Sequence, residues 1–155
     1  MIFIKPHVVR FINVFTTGLA IWLVSFSALA EQSKTFGDFV IHYNAFTTEM
    51  LTPAVAKQYG IKRSKNRAMY NITVLKKVMG TTGKPVEAKV TGHASNLSRQ
   101  MKTLNPRKVT EGPAIYYIGD LTVTDKETLK FVFKVTPSGK TTPFDLTFTK
   151  QFFTN

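Results

Sequence analysis

Leu129-Lys130-Phe131-Val132-Phe133-Lys134-Val135 alternates residue by residue, with Leu129, Phe131, Phe133 and Val135 as one set and Lys130, Val132 and Lys134 as the other. A period of two puts each set on its own face of a strand, one face apolar and the other carrying both lysines. Pro137-Ser-Gly-Lys140 then turns the chain, and Phe144, Leu146 and Phe148 alternate with Asp145, Thr147 and Thr149 before Gln151-Phe-Phe153. Two strands with one apolar face cannot stand alone in water, so the rest of the chain must supply a second layer.

Working back from this hairpin, Ala114-Ile-Tyr-Tyr-Ile118 and Leu121-Thr-Val-Thr124 read as strands flanking Gly119-Asp120, which is expected to turn or bulge. Asn96 to Arg107 is expected as an irregular crossing or a degenerate strand that ends at Asn105-Pro106. A strand over Ala68–Lys77, a Gly80-Thr-Thr-Gly83 turn and a return over Val86–Ala94 predict a second hairpin. Phe36 to Asn44 reads as the first strand, with Phe39, Ile41 and Tyr43 on one face. One helix signal stands among these strands: Thr52 as N-cap, Pro53 at the first helical position, Ala54 to Tyr59 as the body and Gly60 just past its end. So short a helix needs packing, expected through Val55 and Tyr59. The pattern predicts an all-β sandwich of about seven strands with one short helix, a partly open barrel being the competing architecture.

The first thirty residues read as a leader. Lys5 and Arg10 give a positive start, Phe11 to Phe26 is mostly apolar, and Ala28-Leu29-Ala30 precedes Glu31. Cleavage is expected after Ala30, leaving one exported domain over 31–155 with a periplasmic address. The sequence contains no cysteine, which removes disulfides, thiol nucleophiles and thiolate metal sites from consideration.

Without the leader the chain carries nineteen Lys and Arg against nine acids, and the excess is uneven: residues 57–108 hold thirteen cations and a single acid, Glu87. A one-sided field of this kind draws acidic proteins or anionic envelope components. The densest stretch is Lys62-Arg63-Ser64-Lys65-Asn66-Arg67, with Arg99, Lys102, Arg107 and Lys108 as a secondary patch. Its guanidinium groups suit phosphate or carboxylate, with Ser64 and Asn66 as neutral hydrogen-bonding groups. The loop could equally pair with Glu87, Glu111 or Asp120 as a structural clasp, or stand idle at the surface. No Gly-x-Ser-x-Gly elbow occurs, Gly80-Thr-Thr-Gly83-Lys84 lacks the spacing of a phosphate loop, and Asp125 and Glu127 sit among lysines as surface ion-pair partners. No catalytic residue, cofactor or nucleic-acid partner is therefore expected. The alternative is a small periplasmic enzyme or copper-handling protein built on His42 or His93, which could meet in space with methionines beside them.

Several stretches carry a resemblance: His42-Tyr-Asn-Ala-Phe46, Thr52 to Gly60, Arg63-Ser-Lys-Asn-Arg67 with Asn71-Ile-Thr-Val-Leu75, and Pro143 to Phe153. Together they resemble domain of unknown function 4426, an uncharacterised family of small exported proteins from gammaproteobacteria. The resemblance implies a Gram-negative periplasmic location and an immunoglobulin-like sandwich. It implies no activity and supplies no catalytic residues.

Overall fold

The structure, a computed structural model, describes residues 32–155; the expected leader and its cleavage site lie outside them. The described residues form ten strands: β1 (Gln32–Phe36), β2 (Phe39–Thr47), β3 (Arg67–Lys76), β4 (Lys84–Pro85), β5 (Ala88–Asn96), β6 (Met101–Leu104), β7 (Arg107–Glu111), β8 (Ala114–Thr122), β9 (Thr128–Pro137) and β10 (Phe144–Gln151). A 3-10 turn, Thr48–Met50, and a helix, α1 (Pro53–Gln58), lie between β2 and β3. One sheet runs β1-β2-β3-β8-β7 with β4 also on β3, and the other runs β10-β9-β5-β6. The fold is an all-β sandwich. The count exceeds seven because β1, β4, β6 and β7 are short, at two to five residues each, too few to show a clear period in sequence.

The two inward faces meet as the alternation requires. Ile41, Ile72, Val74, Phe131, Phe133, Val135 and Leu146 are completely buried. Aromatic rings bridge the layers: Tyr43 stacks on Phe148 with centroids 4.6 Å apart, and Tyr70 tilts against Phe133 at 5.4 Å. Each such pair contributes about 0.5–1.5 kcal/mol beyond the area it buries. Phe152, beyond β10, closes one end of the core.

Three sequence expectations are corrected. Gly119-Asp120 does not turn; β8 runs straight through it. Gly119 lies opposite the buried Tyr70, and a Cβ there would stand 2.2 Å from the Tyr70 hydroxyl oxygen, so the glycine serves close approach. The hairpin expected from Ala68–Lys77 and Val86–Ala94 is also absent. Only Lys84–Pro85 pairs back onto β3, and β5 crosses to the other sheet between β9 and β6. Period-two patterning defines a half-buried strand without choosing its neighbour.

The first expected strand likewise divides, because Gly37 takes a positive φ of 55° and turns β1 into β2. In the ambiguous Asn96–Arg107 stretch, Gln100 N–H donates to Asn96 Oδ1 (2.9 Å) and Arg99 adopts a φ of 61°, closing a tight turn into β6. After Pro106 the chain changes sheets and continues as β7.

Candidate functional site

Helix α1 begins as its sequence dictates. The Thr52 hydroxyl accepts from Val55 N–H (3.3 Å), and Pro53 occupies the first turn. Gly60, with a φ of 62°, reverses the backbone, and Ile61 N–H returns to the Ala56 carbonyl (2.8 Å). Ile61 then buries itself against Met69 and Ile118 on the outer face of the larger sheet, with Tyr59 packed alongside. The 3-10 turn holds the next segment. Thr48 is fully buried, and its hydroxyl donates to the Lys62 carbonyl (2.8 Å) while accepting from Ser64 N–H (2.9 Å). A surface loop full of cations is thus fixed by one buried hydroxyl.

The loop's side chains divide by role. Arg67 grips Asp120 on β8, its Nε at 2.9 Å and Nη2 also on the same carboxylate oxygen. Arg63 donates to the Glu49 carbonyl (2.9 Å), and Asn66 accepts from Val123 N–H through its own carbonyl (2.9 Å). Asn66 N–H in turn donates to Ser64 Oγ (3.1 Å). Lys62 and Lys65 are exposed and make no ion pair among the described residues.

The secondary patch does not form as one surface. Arg99, exposed, and Lys102 lie at the same end of the sandwich as the loop, in and just after the β5–β6 turn. Lys102 is tied down by Glu127 (2.9 Å) and the Thr122 carbonyl (2.8 Å). Burial alone would raise the Glu127 carboxyl, but hydrogen bonds from Lys102 and Thr124 outweigh it and hold the pKa below the usual value. Arg107 and Lys108 belong to β7 instead. Arg107 donates to the Tyr59 carbonyl, and Lys108 pairs with Glu87 at 2.7 Å.

Exposed large apolar side chains follow the same division of ends. Met50, Leu97, Met101 and Phe153 are 54%, 85%, 68% and 60% exposed, and all four lie at the end where β2, β5 and β10 finish and β3, β6 and β9 begin. Lys62, Lys65, Arg99 and Lys126 are exposed at that end too. The opposite end carries Val78 and Met79.

A feature without a sequence signal lies beneath Tyr59. A cavity of about 150 Å³, partly open to solvent, is floored by Met69 and Asn71 of β3 and by Tyr116 and Ile118 of β8. Val109 and Glu111 of β7 wall it, and Tyr59 covers it. The Glu111 carboxylate accepts from the Tyr59 hydroxyl and from Gln58 Nε2 (2.7 Å). Chiefly because of that bond, the Tyr59 phenol is pushed up to about 12. Asn71 Oδ1 is buried without a hydrogen-bond partner.

His42 and His93 do not meet. His42 alternates with the buried Ile41 and Tyr43 on β2, and His93 lies beside the buried Ala94 on β5, so they stand on the outward faces of different sheets. Among the described residues no three His, Cys, Asp or Glu side chains are grouped to hold a metal ion.

The sequence pattern of DUF4426, a domain of unknown function, matches residues 33–155. The chain belongs to this family. A DUF4426 family protein from Pseudomonas aeruginosa PAO1, solved by crystallography, is 37% identical with a TM-score of 0.69, covering 79% of this chain and 94% of its own. The fold is also shared with FetP of uropathogenic Escherichia coli strain F11, recombinantly expressed in the periplasm of Escherichia coli. FetP is 9% identical with a TM-score of 0.55, covering 79% of this chain and 93% of its own. A copper-bound FetP variant is 11% identical with a TM-score of 0.54, covering 79% and 95%. At such identities the likeness is one of fold. No curated protein matches the chain in sequence. Among the described residues no helix is long and apolar enough to cross a membrane.

In this DUF4426 chain the Arg63 to Arg67 motif was legible as a dense cationic stretch. The cavity under Tyr59 was not, because its walls come from three strands and a helix, and a lone Glu111 or Asn71 in a strand pattern carries no signal.

Proposed function

We propose that the chain is a non-enzymatic periplasmic binding module whose basic end docks against an anionic envelope surface. The observation that carries this reading is the coincidence of Met50, Leu97, Met101 and Phe153, all exposed, with Lys62, Lys65, Arg99 and Lys126 at one end of the sandwich. An acidic protein would satisfy the cations alone. A bilayer with anionic head groups satisfies both sets, each Lys or Arg near the surface contributing about 1 kcal/mol and the apolar tips reaching past the head groups. Arg63 and Arg67 act in this reading as the frame that presents Lys62 and Lys65, since their guanidinium groups already hold Glu49 and Asp120.

Co-sedimentation with vesicles tests it. Phosphatidylglycerol vesicles are expected to retain the protein in a salt-sensitive manner, and phosphatidylcholine vesicles are not. Lys62→Glu with Lys65→Glu is expected to abolish retention, and Leu97→Ser with Met101→Ser to weaken it several-fold. Retention on polyglutamate but on neither vesicle would replace the lipid by an acidic protein. The metal-handling alternative draws on the fold shared with copper-bound FetP, and a copper titration read by the His42 and His93 ring resonances tests it.

A further inference from the structure

The cavity beneath Tyr59 has a chemical character opposite to the rest of the molecule. In a chain with 21 Lys and Arg, none of its lining residues is cationic, and one, Glu111, is an acid. Two of its polar groups stand ready as acceptors. Glu111 offers a carboxylate whose Oε1 accepts from Tyr59 and Gln58, and Asn71 contributes a buried carbonyl oxygen with no partner. A buried acceptor left unmatched in a native structure calls for an explanation, because it forfeits a hydrogen bond that water would supply. Two aromatic rings, Tyr59 and Tyr116, and the apolar side chains of Met69 and Ile118 complete the surroundings. Arg107, two residues before Val109 on the same face of β7, is held by its bond to the Tyr59 carbonyl and does not line the cavity.

The geometry points to a binding site for a small organic ammonium ion, held by the Tyr59 and Tyr116 rings with the Glu111 carboxylate as counter-ion and Asn71 as a further acceptor. Aromatic rings attract an alkylated cation through their negative faces, and the attraction grows when water is excluded. A neutral apolar molecule would leave the acceptors unmatched, and an anion would meet a carboxylate. The size agrees, since an apolar cavity of about 150 Å³ accommodates a benzene-sized molecule, and tert-butylammonium is of that order. Tyr59 is well placed as a cover. It stands at the C-terminal end of a helix of six residues, fastened to the sheet here by its hydroxyl on Glu111 and its carbonyl on Arg107.

Methyl NMR of the purified protein, titrated with tert-butylammonium chloride at constant ionic strength, tests the assignment against the neutral, nearly isosteric analogue tert-butanol. Saturable shifts of the Met69 and Ile118 methyls are expected with the ammonium ion, at an affinity about tenfold above that for tert-butanol. Glu111→Gln keeps an acceptor for Tyr59 and Gln58 while removing the charge. It is expected to weaken ammonium binding about tenfold and leave tert-butanol unchanged. Should that variant fail to fold, Tyr116→Leu serves the same purpose, because it preserves apolar volume but removes the ring face. The assignment falls if the wild type shows no saturable shift, if the two probes bind equally, or if a folded Glu111→Gln or Tyr116→Leu variant binds the ammonium ion unchanged. None of these outcomes bears on vesicle retention, which depends on the exposed cations and apolar tips beyond the start of β3.

Discussion

Arg67 and Asp120 stand diagonally across β3 and β8, two positions apart in register, and the guanidinium of one holds the carboxylate of the other on the outer face of the larger sheet. The most conspicuous cation of the motif is therefore committed within the fold. Both side chains are about a third exposed, at 34% and 29%, so solvent screens the pair and limits its worth. A double-mutant cycle with Arg67→Ala and Asp120→Ala, followed by urea denaturation, is expected to give a coupling of about 0.5–1 kcal/mol. Arg63→Ala should change stability by less than about 0.5 kcal/mol, because its contact is one exposed side-chain bond to a backbone carbonyl. Equal losses for both arginines would contradict this division.

Thr48 is the sharper structural element of the loop. Thr48→Val preserves shape but removes the hydroxyl that serves Lys62 and Ser64, leaving their backbone groups short of a partner. The expected cost is about 1–3 kcal/mol. Hydrogen exchange at the Ser64 amide should accelerate, and vesicle retention should weaken although no charge has changed. Unchanged protection at Ser64 would refute the role of Thr48.

Gly119 has no freedom to accept a side chain. Gly119→Ala sets a methyl group against the Tyr70 ring, which is 1% exposed and surrounded by Phe131 and Phe133. Overpacking of this kind costs about 1–3 kcal/mol. Adding Tyr70→Leu to Gly119→Ala should recover part of the loss, since the leucine vacates the space of the phenol. Thermal denaturation of the single and double variants decides the matter.

Acid dependence follows from Glu127. Its folded pKa lies below the unfolded value, so the native state binds fewer protons than the unfolded chain between the two. The resulting stability is fully present above the unfolded carboxylate range and is lost as pH falls through the folded pKa. Glu127→Gln is expected to remove that part of the acid-side decline, read as a flatter plot of unfolding free energy against pH below about 4.5. Lys102→Met should do the same if the ion pair is the cause.

At the alkaline side Tyr59 works in the opposite sense. Its phenol, raised from 10 to about 12 by Glu111, gives the native state more bound protons than the unfolded one between those values. Stability contributed by this group is present below pH 10 and declines as pH rises toward 12. Tyr59→Phe should remove that portion of the decline and weaken the docking of α1. Denaturation midpoints at pH 8 and 11 for both proteins would expose the difference.

Much of the architecture was readable along the chain because it is written in local chemistry. The alternation of Leu129 to Val135, the inward set Phe39, Ile41 and Tyr43, and the Thr52-Pro53 to Gly60 helix all appear where their side-chain pattern and backbone preferences put them. The sequence by itself thus determined strands with one buried face, a capped helix and a dense cationic loop, since each depends on residues within about one element's length. Only the tertiary structure decided which strands are neighbours, that Gly119 makes room for Tyr70, that Arg67 is spent on Asp120, and that Tyr59, Tyr116, Glu111 and Asn71 enclose one space. Those relationships join residues up to 57 positions apart, as Tyr59 and Tyr116 are, and period-two patterning leaves the partner of a strand open.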